Sequence, residues 1–302
     1  MYIPALAAVG TFVAAATSIL YDGRAPSNLT AAQLDTSSGP YVTAVKGSQN
    51  ASHYTTLLGQ SVAPTPLWGV DEQSIRVTID NTSVFTPGTA APQLGFRRTE
   101  LIAQGNPISN RTAFDETIET GVTAFHFSLQ ADPQRPLNLT HDYQVVFIEP
   151  SDGTHVFGLE LGTPFNQTPD ALSHSLKLLA HDSTVVFNTS FTDADWHNFA
   201  VVVDWTQRTL QVLYSANAQT LQTVTDVVPN TSATAGAAGQ GEFHFGVLKL
   251  PLIDPTQTSA QQSDVVHFGI QEGTTEGLIY SGVFVESASS GVSVGNGRTV
   301  TL

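Results

Sequence analysis

The stretch Gly95-Phe96-Arg97-Arg98-Thr99-Glu100-Leu101 places two arginines and a carboxylate in a segment typical of a β-strand. Side chains alternate along a strand, so Arg98 and Glu100 face one way while Thr99 and Leu101 face the other. Burying an unpaired charge is costly, so we expect the charged row to face water or a cleft. An exposed ion pair worth under ~1 kcal/mol would give the same pattern.

Short runs with the same alternation recur along the rest of the chain. They are rich in Val, Phe, Tyr and Thr, and Gly, Pro, Asn and Asp separate them. About a dozen such strands without an internal repeat or a long linker predict a single all-β domain, a sandwich or barrel, over residues 19–302. The predicted strands cover residues 19–24, 75–79, 95–102, 121–130, 143–149, 156–161, 176–180, 184–188, 197–204, 209–215, 241–248, 265–270 and 277–285.

Four of these runs carry a polar row opposite an apolar one. The polar rows include His126, Asp142 with Gln144, His244, and Gln271. If one sheet curves inward, such rows line a groove with many hydrogen-bonding groups and a few carboxylates, which is the layout of a carbohydrate site. Ordinary alternation on a solvent-facing sheet is the other interpretation.

The composition limits the partners. The 302 residues include 11 basic and 26 acidic side chains, which gives a formal charge of -15, and only three lysines are present. A basic patch is the expected footprint of a nucleic-acid or anionic-membrane partner, so we predict neither. We expect no cofactor and no metal, because adjacent His-Asp pairs such as His141-Asp142 point to opposite faces of a strand.

The N-terminus indicates export. Residues 1–18 contain an apolar run of small residues ending at Ala16-Thr17-Ser18, which predicts a signal peptide. There is no cysteine, so no disulfide stabilises the chain. Eight Asn-x-Ser/Thr sequons also predict a secreted, extracellular glycoprotein. The sequons are at Asn28, Asn50, Asn81, Asn110, Asn138, Asn166, Asn188 and Asn230.

Several longer segments resemble the fungal secreted β-glucanases of glycoside hydrolase family 131. The resemblance covers essentially the whole mature chain. The segments that carry it are 19–24, 77–88, 95–101, 135–144, 196–200, 241–246, 269–272 and 276–286. It implies a β-jelly-roll sandwich with one concave sheet forming an open cleft. It also implies cleavage of β-1,3- and β-1,4-linked glucans, and it leaves β-1,6-linked glucans open as a further substrate. We expect the protein to be monomeric.

The resemblance also implies roles for individual residues. Glu100, Asp142 and His244 take the places of catalytic residues, although the family pattern has Glu where this chain has Asp142, whose carboxyl is set back by one methylene. The Trp-His-Glu sequence of the family stands here as Phe147-Ile148-Glu149. Residues implied in sugar binding or in setting the pKa values of the carboxyls are Arg98, His126, Gln144 and Gln271.

Two other functions remain open at this stage. Jelly-roll polysaccharide lyases also use an Arg-x-Glu strand beside Gln and His, but they need a cationic cleft for their anionic substrate, which the charge of -15 disfavours. The second alternative is a non-catalytic glucan-binding protein of the cell wall on the same fold, which Asp142 in place of Glu would allow.

Overall fold

The computed structural model describes residues 17–105 and 110–302, and residues 1–16 of the predicted signal peptide lie outside the described part. The helices are short: α1 (Ala31–Asp35), α2 (Ala51–Tyr54), α3 (Arg111–Ile118), α4 (Ser259–Ser263) and α5 (Val265–Phe268). The strands are β1 (Ile19–Asp22), β2 (Tyr41–Val42), β3 (Thr55–Leu57), β4 (Ile75–Ile79), β5 (Arg97–Ala103), β6 (Val122–Ala131), β7 (Asp142–Pro150), β8 (Phe157–Gly162), β9 (Ser175–Ala180), β10 (Val185–Ser190), β11 (His197–Asp204), β12 (Thr209–Ala216), β13 (Gln222–Thr223), β14 (Val228–Pro229), β15 (Gly241–Lys249), β16 (Glu276–Ser287), β17 (Val292–Gly295) and β18 (Arg298–Val300).

Two large antiparallel sheets pack face to face. The back sheet has the order β13-β12-β11-β6-β16-β4-β3, with β1 beside β16 and β14 beside β12. The front sheet has the order β10-β9-β8-β7-β15-β5-β2. Their inner faces share one apolar core, in which Phe125 of β6 meets Phe243 of β15 edge to face at 5.1 Å. The predicted all-β jelly-roll sandwich is confirmed.

The central strand of the front sheet is bulged. The register of β7 shifts between Gln144 and Val146 against β8, and Val145 and Val146 both pack in the core. Asp142 and Gln144 therefore point outward before the bulge, and Phe147 and Glu149 point outward after it. Without the extra residue, strict alternation would turn Glu149 inward.

A glycine lets β15 lie close to β5. A Cβ at Gly246 would stand 2.3 Å from the carbonyl oxygen of Thr99 and 2.8 Å from the Cα of Glu100. Any side chain there would push the two strands apart. Gly246 thus allows the close approach of β15 to β5 that sets the backbone position of Glu100.

One predicted strand is wrong. Residues 265–270 form helix α5 and its exit rather than a strand. Asp264 ends α4 and also precedes α5, and its carboxylate accepts a 2.7 Å hydrogen bond from the Nδ1 of His267. Phe268 and Ile270 remain 41% exposed, so their alternation does not mark a face that packs on the core.

Candidate active site

Glu100 on β5 lies at the centre of a buried charge cluster. Its side chain is fully buried. Arg98 donates two hydrogen bonds to its carboxylate, from Nε to Oε1 at 2.6 Å and from Nη2 to Oε2 at 2.8 Å. The Nδ1 of His244 on β15 donates to the same carboxylate at 2.7 Å. Burial alone would raise the pKa of Glu100, but the Arg98 charge and the His244 hydrogen bond outweigh it and lower the pKa to about 2.

His244 connects this buried pair to the surface. Its Nε2 faces two carboxylates, at 3.4 Å from Glu242 and 3.9 Å from Glu149. The ring stacks on Phe147 at 4.8 Å, and His155 stacks on Phe147 at 4.3 Å. Burial lowers the pKa of His244, but hydrogen bonds to Glu100 and Glu242 reverse this and leave the pKa raised. The imidazolium form is therefore favoured.

A pocket of about 500 Å³ opens over this cluster on the outer face of the front sheet. Glu149 and Glu242 line it, whereas Glu100 does not. These two residues are direct cross-strand partners on β7 and β15. Both side chains are partly exposed, at 32% and 42%. The remaining lining residues are Val45, Phe85, Arg98, Arg111, Asp115, Pro150, Ser151, Gly153, Gln240, Gly241 and His244.

The two pocket carboxyls differ in their pKa values. Burial raises the pKa of Glu149, whereas the charges of His244 and Arg98 lower it. The effect of burial is the larger, so the pKa of Glu149 is raised. The hydrogen bond from His244 is the main cause that lowers the pKa of Glu242, and the Arg111 charge adds to it. Two negative charges directly opposite each other would repel, and a proton on Glu149 removes this repulsion.

Helix α3 contributes a cation to the pocket wall. The Nη2 of Arg111 lies 2.9 Å from a carboxylate oxygen of Glu242, and its Nη1 donates to the carbonyl oxygen of Ala103. Asp115, one turn later on α3, has its pKa raised to about 6, chiefly by burial. Arg111 was not among the site residues predicted from the sequence.

Asp142 and Gln144 lie on the same outer face of the front sheet, but in its other half. Asp142 accepts a hydrogen bond from the backbone N–H of Phe165 and interacts with Lys177, and no contact joins it to Glu100 or His244. The side-chain amide of Gln271 donates hydrogen bonds to the backbone carbonyl oxygens of Gly95 and Lys249. Of the predicted site residues, the structure thus brings together Glu100, Arg98 and His244.

The prediction for His126 is wrong. It lies on β6 in the back sheet, is fully buried, and its Nε2 is 2.9 Å from Glu286. Its ring lies between Phe284, stacked at 4.2 Å, and the edge of Trp68. A fully buried histidine on the opposite sheet is not available to a sugar in the cleft.

The sequons differ in exposure. Asn28, Asn50, Asn81, Asn110, Asn166 and Asn188 are exposed, and Asn138 is half-buried. Asn230 contradicts the prediction: it is 3% exposed, and its Nδ2, the atom that would carry a glycan, donates to the carbonyl oxygen of Val156 at 2.8 Å.

Neither a metal cluster nor a membrane helix occurs where the chain is described. Within residues 17–105 and 110–302, no three His, Asp or Glu side chains are grouped so that they could hold a metal ion. Over the same ranges, no helix has the length and apolarity needed to cross a membrane.

The family model of the glycoside hydrolase 131 catalytic N-terminal domain matches residues 19–291. The chain belongs to glycoside hydrolase family 131. No curated protein matches the sequence.

Two solved structures of family 131 are similar over nearly their whole length. The catalytic domain of the family 131 protein from Coprinopsis cinerea has 25% identity, covers 93% of this chain and 99% of its own, and has a TM-score of 0.67. The family 131 β-glucanase catalytic domain from Podospora anserina has 23% identity, coverages of 92% and 98%, and a TM-score of 0.68. The similarity of both structures over nearly the whole chain agrees with membership of family 131.

Proposed function

We propose that this family 131 protein is a secreted β-glucanase whose catalytic carboxyls are Glu149 and Glu242. The observation that carries the proposal is their direct pairing across β7 and β15 with pKa values displaced in opposite directions. Glycoside cleavage needs one carboxyl that keeps its proton and one that has lost it. Because both lie within 4 Å of the Nε2 of His244, their nearest oxygens are at most about 7 Å apart, close enough to act on one glycosidic bond.

In the proposed reaction, Glu149 donates its proton to the glycosidic oxygen as the bond from that oxygen to the anomeric carbon breaks. Glu242 takes a proton from the water that adds to the anomeric carbon. One water is consumed and one new reducing end is formed. The oxocarbenium-like charge of the transition state forms beside an ionised carboxylate, which lowers its free energy.

Glu100 acts in this proposal as a positioning residue. It is fully buried and does not line the pocket, so it reaches the substrate only through Arg98 and His244. By holding the Nδ1 of His244 it directs the Nε2 toward both pocket carboxyls. The family resemblance implies that Glu100 is itself a catalytic carboxylate, and Glu100 as the base is therefore the second candidate.

The charge of the pocket and the similarity to a known β-glucanase support one substrate class. The pocket carries three glutamate or aspartate side chains, which disfavour an anionic uronate and suit a neutral glucan. The domain from Podospora anserina is a β-glucanase, which supports a β-glucan as substrate. The β-1,3 and β-1,4 linkages are those that the family resemblance implies. The exposed sequons and the predicted signal peptide support secretion.

Chemical rescue separates the two candidates for the base. In Glu242→Ala, azide or formate can enter the space left at a partly exposed position, so we expect added azide to restore glucan cleavage. In Glu100→Ala the space is fully buried and azide should not restore it. Rescue of Glu100→Ala without rescue of Glu242→Ala would overturn the assignment, and an unsaturated product absorbing in the ultraviolet would identify a lyase.

A further inference from the structure

Helix α3 is fastened to the strand that carries Glu242. Phe114 of α3 is buried in the core of the sandwich. Just after the helix, the carboxylate of Glu119 accepts a 2.8 Å hydrogen bond from the backbone N–H of Gly241, the residue before Glu242. Arg111, the first residue of α3, is therefore held in place relative to Glu242 at both the helix and the strand.

Both oxygens of the Glu242 carboxylate face a cation. Its Oε1 lies 2.9 Å from the Nη2 of Arg111, and its Oε2 lies 3.4 Å from the Nε2 of His244. The guanidinium of Arg111 is itself anchored, because its Nη1 donates a 2.9 Å hydrogen bond to the carbonyl oxygen of Ala103. A partly exposed carboxylate that is engaged at both oxygens keeps one orientation, and a base needs a fixed orientation to meet one water molecule.

Arg111 makes the two pocket carboxyls unequal. Glu149 and Glu242 are cross-strand partners, and they face the same histidine ring at 3.9 Å and 3.4 Å. The arginine near Glu149 is Arg98, at 4.0 Å, and its charge is already paired with Glu100 through two hydrogen bonds. Glu242 has the charge of Arg111 in addition, at 2.9 Å. The positive charge that is left over thus lies on the side of Glu242.

Asp115 is a second carboxyl within reach of Arg111. Its Oδ1 lies 3.7 Å from the Nη1 of Arg111. Burial is the main cause that raises the pKa of Asp115 to about 6, so the carboxyl is neutral in more acidic solution and leaves the charge of Arg111 to Glu242. The charged and titratable groups around Glu242 are His244 on β15, Arg111 and Asp115 on α3, Glu149 on β7, and Arg98 and Glu100 on β5.

We propose that Arg111 is a positioning residue that assigns the roles of the two pocket carboxyls, because it keeps Glu242 ionised and so leaves the proton of the pair on Glu149. Without the charge of Arg111, Glu149 and Glu242 become similar groups that share one proton, and neither is fixed as the acid or the base. Arg111 acts on the reaction through Glu242. The inference therefore rests on the proposed function.

Initial rates of glucan cleavage against pH test this role in Arg111→Gln, Arg111→Lys and Glu116→Gln, an exposed control on the same helix. Loss of the positive charge favours the protonated form of Glu242, so the acid limb of kcat/KM should move to higher pH in Arg111→Gln. We expect kcat/KM to fall about tenfold at pH 4 and less than about threefold at pH 7. Arg111→Lys keeps the charge and should keep most of the acid limb, and Glu116→Gln should match the wild type. An equal loss at every pH in Arg111→Gln would indicate a merely structural role and overturn the inference.

A titration that needs no activity separates this inference from the proposed function. Carbon NMR of protein labelled at the glutamate side-chain carboxyls follows the ionisation of Glu149 and Glu242, and Glu149→Gln and Glu242→Gln identify the two signals. We expect Glu242 to titrate below Glu149 in the wild type, and the two titrations to converge in Arg111→Gln. An unchanged titration of Glu242 in Arg111→Gln would overturn the inference. Converging titrations with an acid limb that does not move would refute Glu242 as the base and leave the effect of Arg111 on the pair intact.

Discussion

Replacing Glu100 with glutamine removes the fully buried charge that pairs with both Arg98 and His244. Glu100 has its pKa lowered from 4.5 to about 2, and the group is fully buried. A difference of that size corresponds to about 3 kcal/mol favouring the folded state when the carboxyl is ionised. Because the folded-state pKa is depressed, this contribution is complete above pH 4.5 and is lost as the pH falls toward 2.

We therefore expect Glu100→Gln to lower the free energy of unfolding by about 3 kcal/mol at pH 7 and by about 1 kcal/mol at pH 3. Urea unfolding followed by the fluorescence of Trp68, Trp196 and Trp205 measures both values. Glu116→Gln, an exposed change on α3, is the matched control and should shift unfolding by less than ~0.5 kcal/mol. A loss for Glu100→Gln that is the same at both pH values would refute the electrostatic reasoning.

Three further predictions concern other parts of the molecule. Glu149→Gln should lower kcat at least ~100-fold and remove the alkaline limb of the activity profile, which pH-dependent initial rates measure. His126→Ala should lower the free energy of unfolding by ~3 kcal/mol, because it removes a buried ring packed against Phe284 and Trp68 together with its hydrogen bond to Glu286. KM should stay unchanged, and a raised KM would indicate that His126 contacts the substrate. Asn230 should carry no glycan in peptide mass spectrometry, and Asn230→Ala should cost ~1–3 kcal/mol in thermal unfolding through the bonds to Val156 and His181.

Local alternation predicted the centre of the site. Arg98 and Glu100 are two residues apart on one strand, so period-two geometry alone puts them on one face, and their bidentate pairing confirms it. The aromatic and aliphatic rows likewise predicted the core face of β6 and β15. Such features depend only on neighbours in sequence, which the chain itself displays.

Glu149 shows what alternation could not predict. Counting by twos from Gln144 turns Glu149 toward the core, and the bulge at Val145 and Val146 reverses that phase. A bulge depends on how β7 pairs with its two neighbours, and one of them, β15, is remote in sequence. The one signal was the Glu at the end of Phe147-Ile148-Glu149, where the family has Trp-His-Glu.

His126 shows the other limit. Its polar row was predicted correctly, but alternation does not tell to which sheet a strand belongs, and β6 lies in the back sheet. Residues 265–270 were assigned to a strand because apolar residues alternate there. In the structure Phe268 and Ile270 are exposed, so packing against the core does not hold this segment in an extended conformation. In addition, the side chain of Thr258 caps a helix that begins just before it.

The central claim is that Glu149 and Glu242, directly opposed in the pocket, cleave β-glucan. Its most direct test is reducing-sugar release from mixed-linkage β-glucan, β-1,3-glucan and cellulose oligomers by the wild type, Glu149→Gln, Glu242→Gln and the surface control Glu116→Gln. We predict release by the wild type and the control, and near-complete loss in both pocket variants with unchanged folding by circular dichroism. Full activity in either pocket variant, or no release by the wild type from any of the glucans, would contradict the claim.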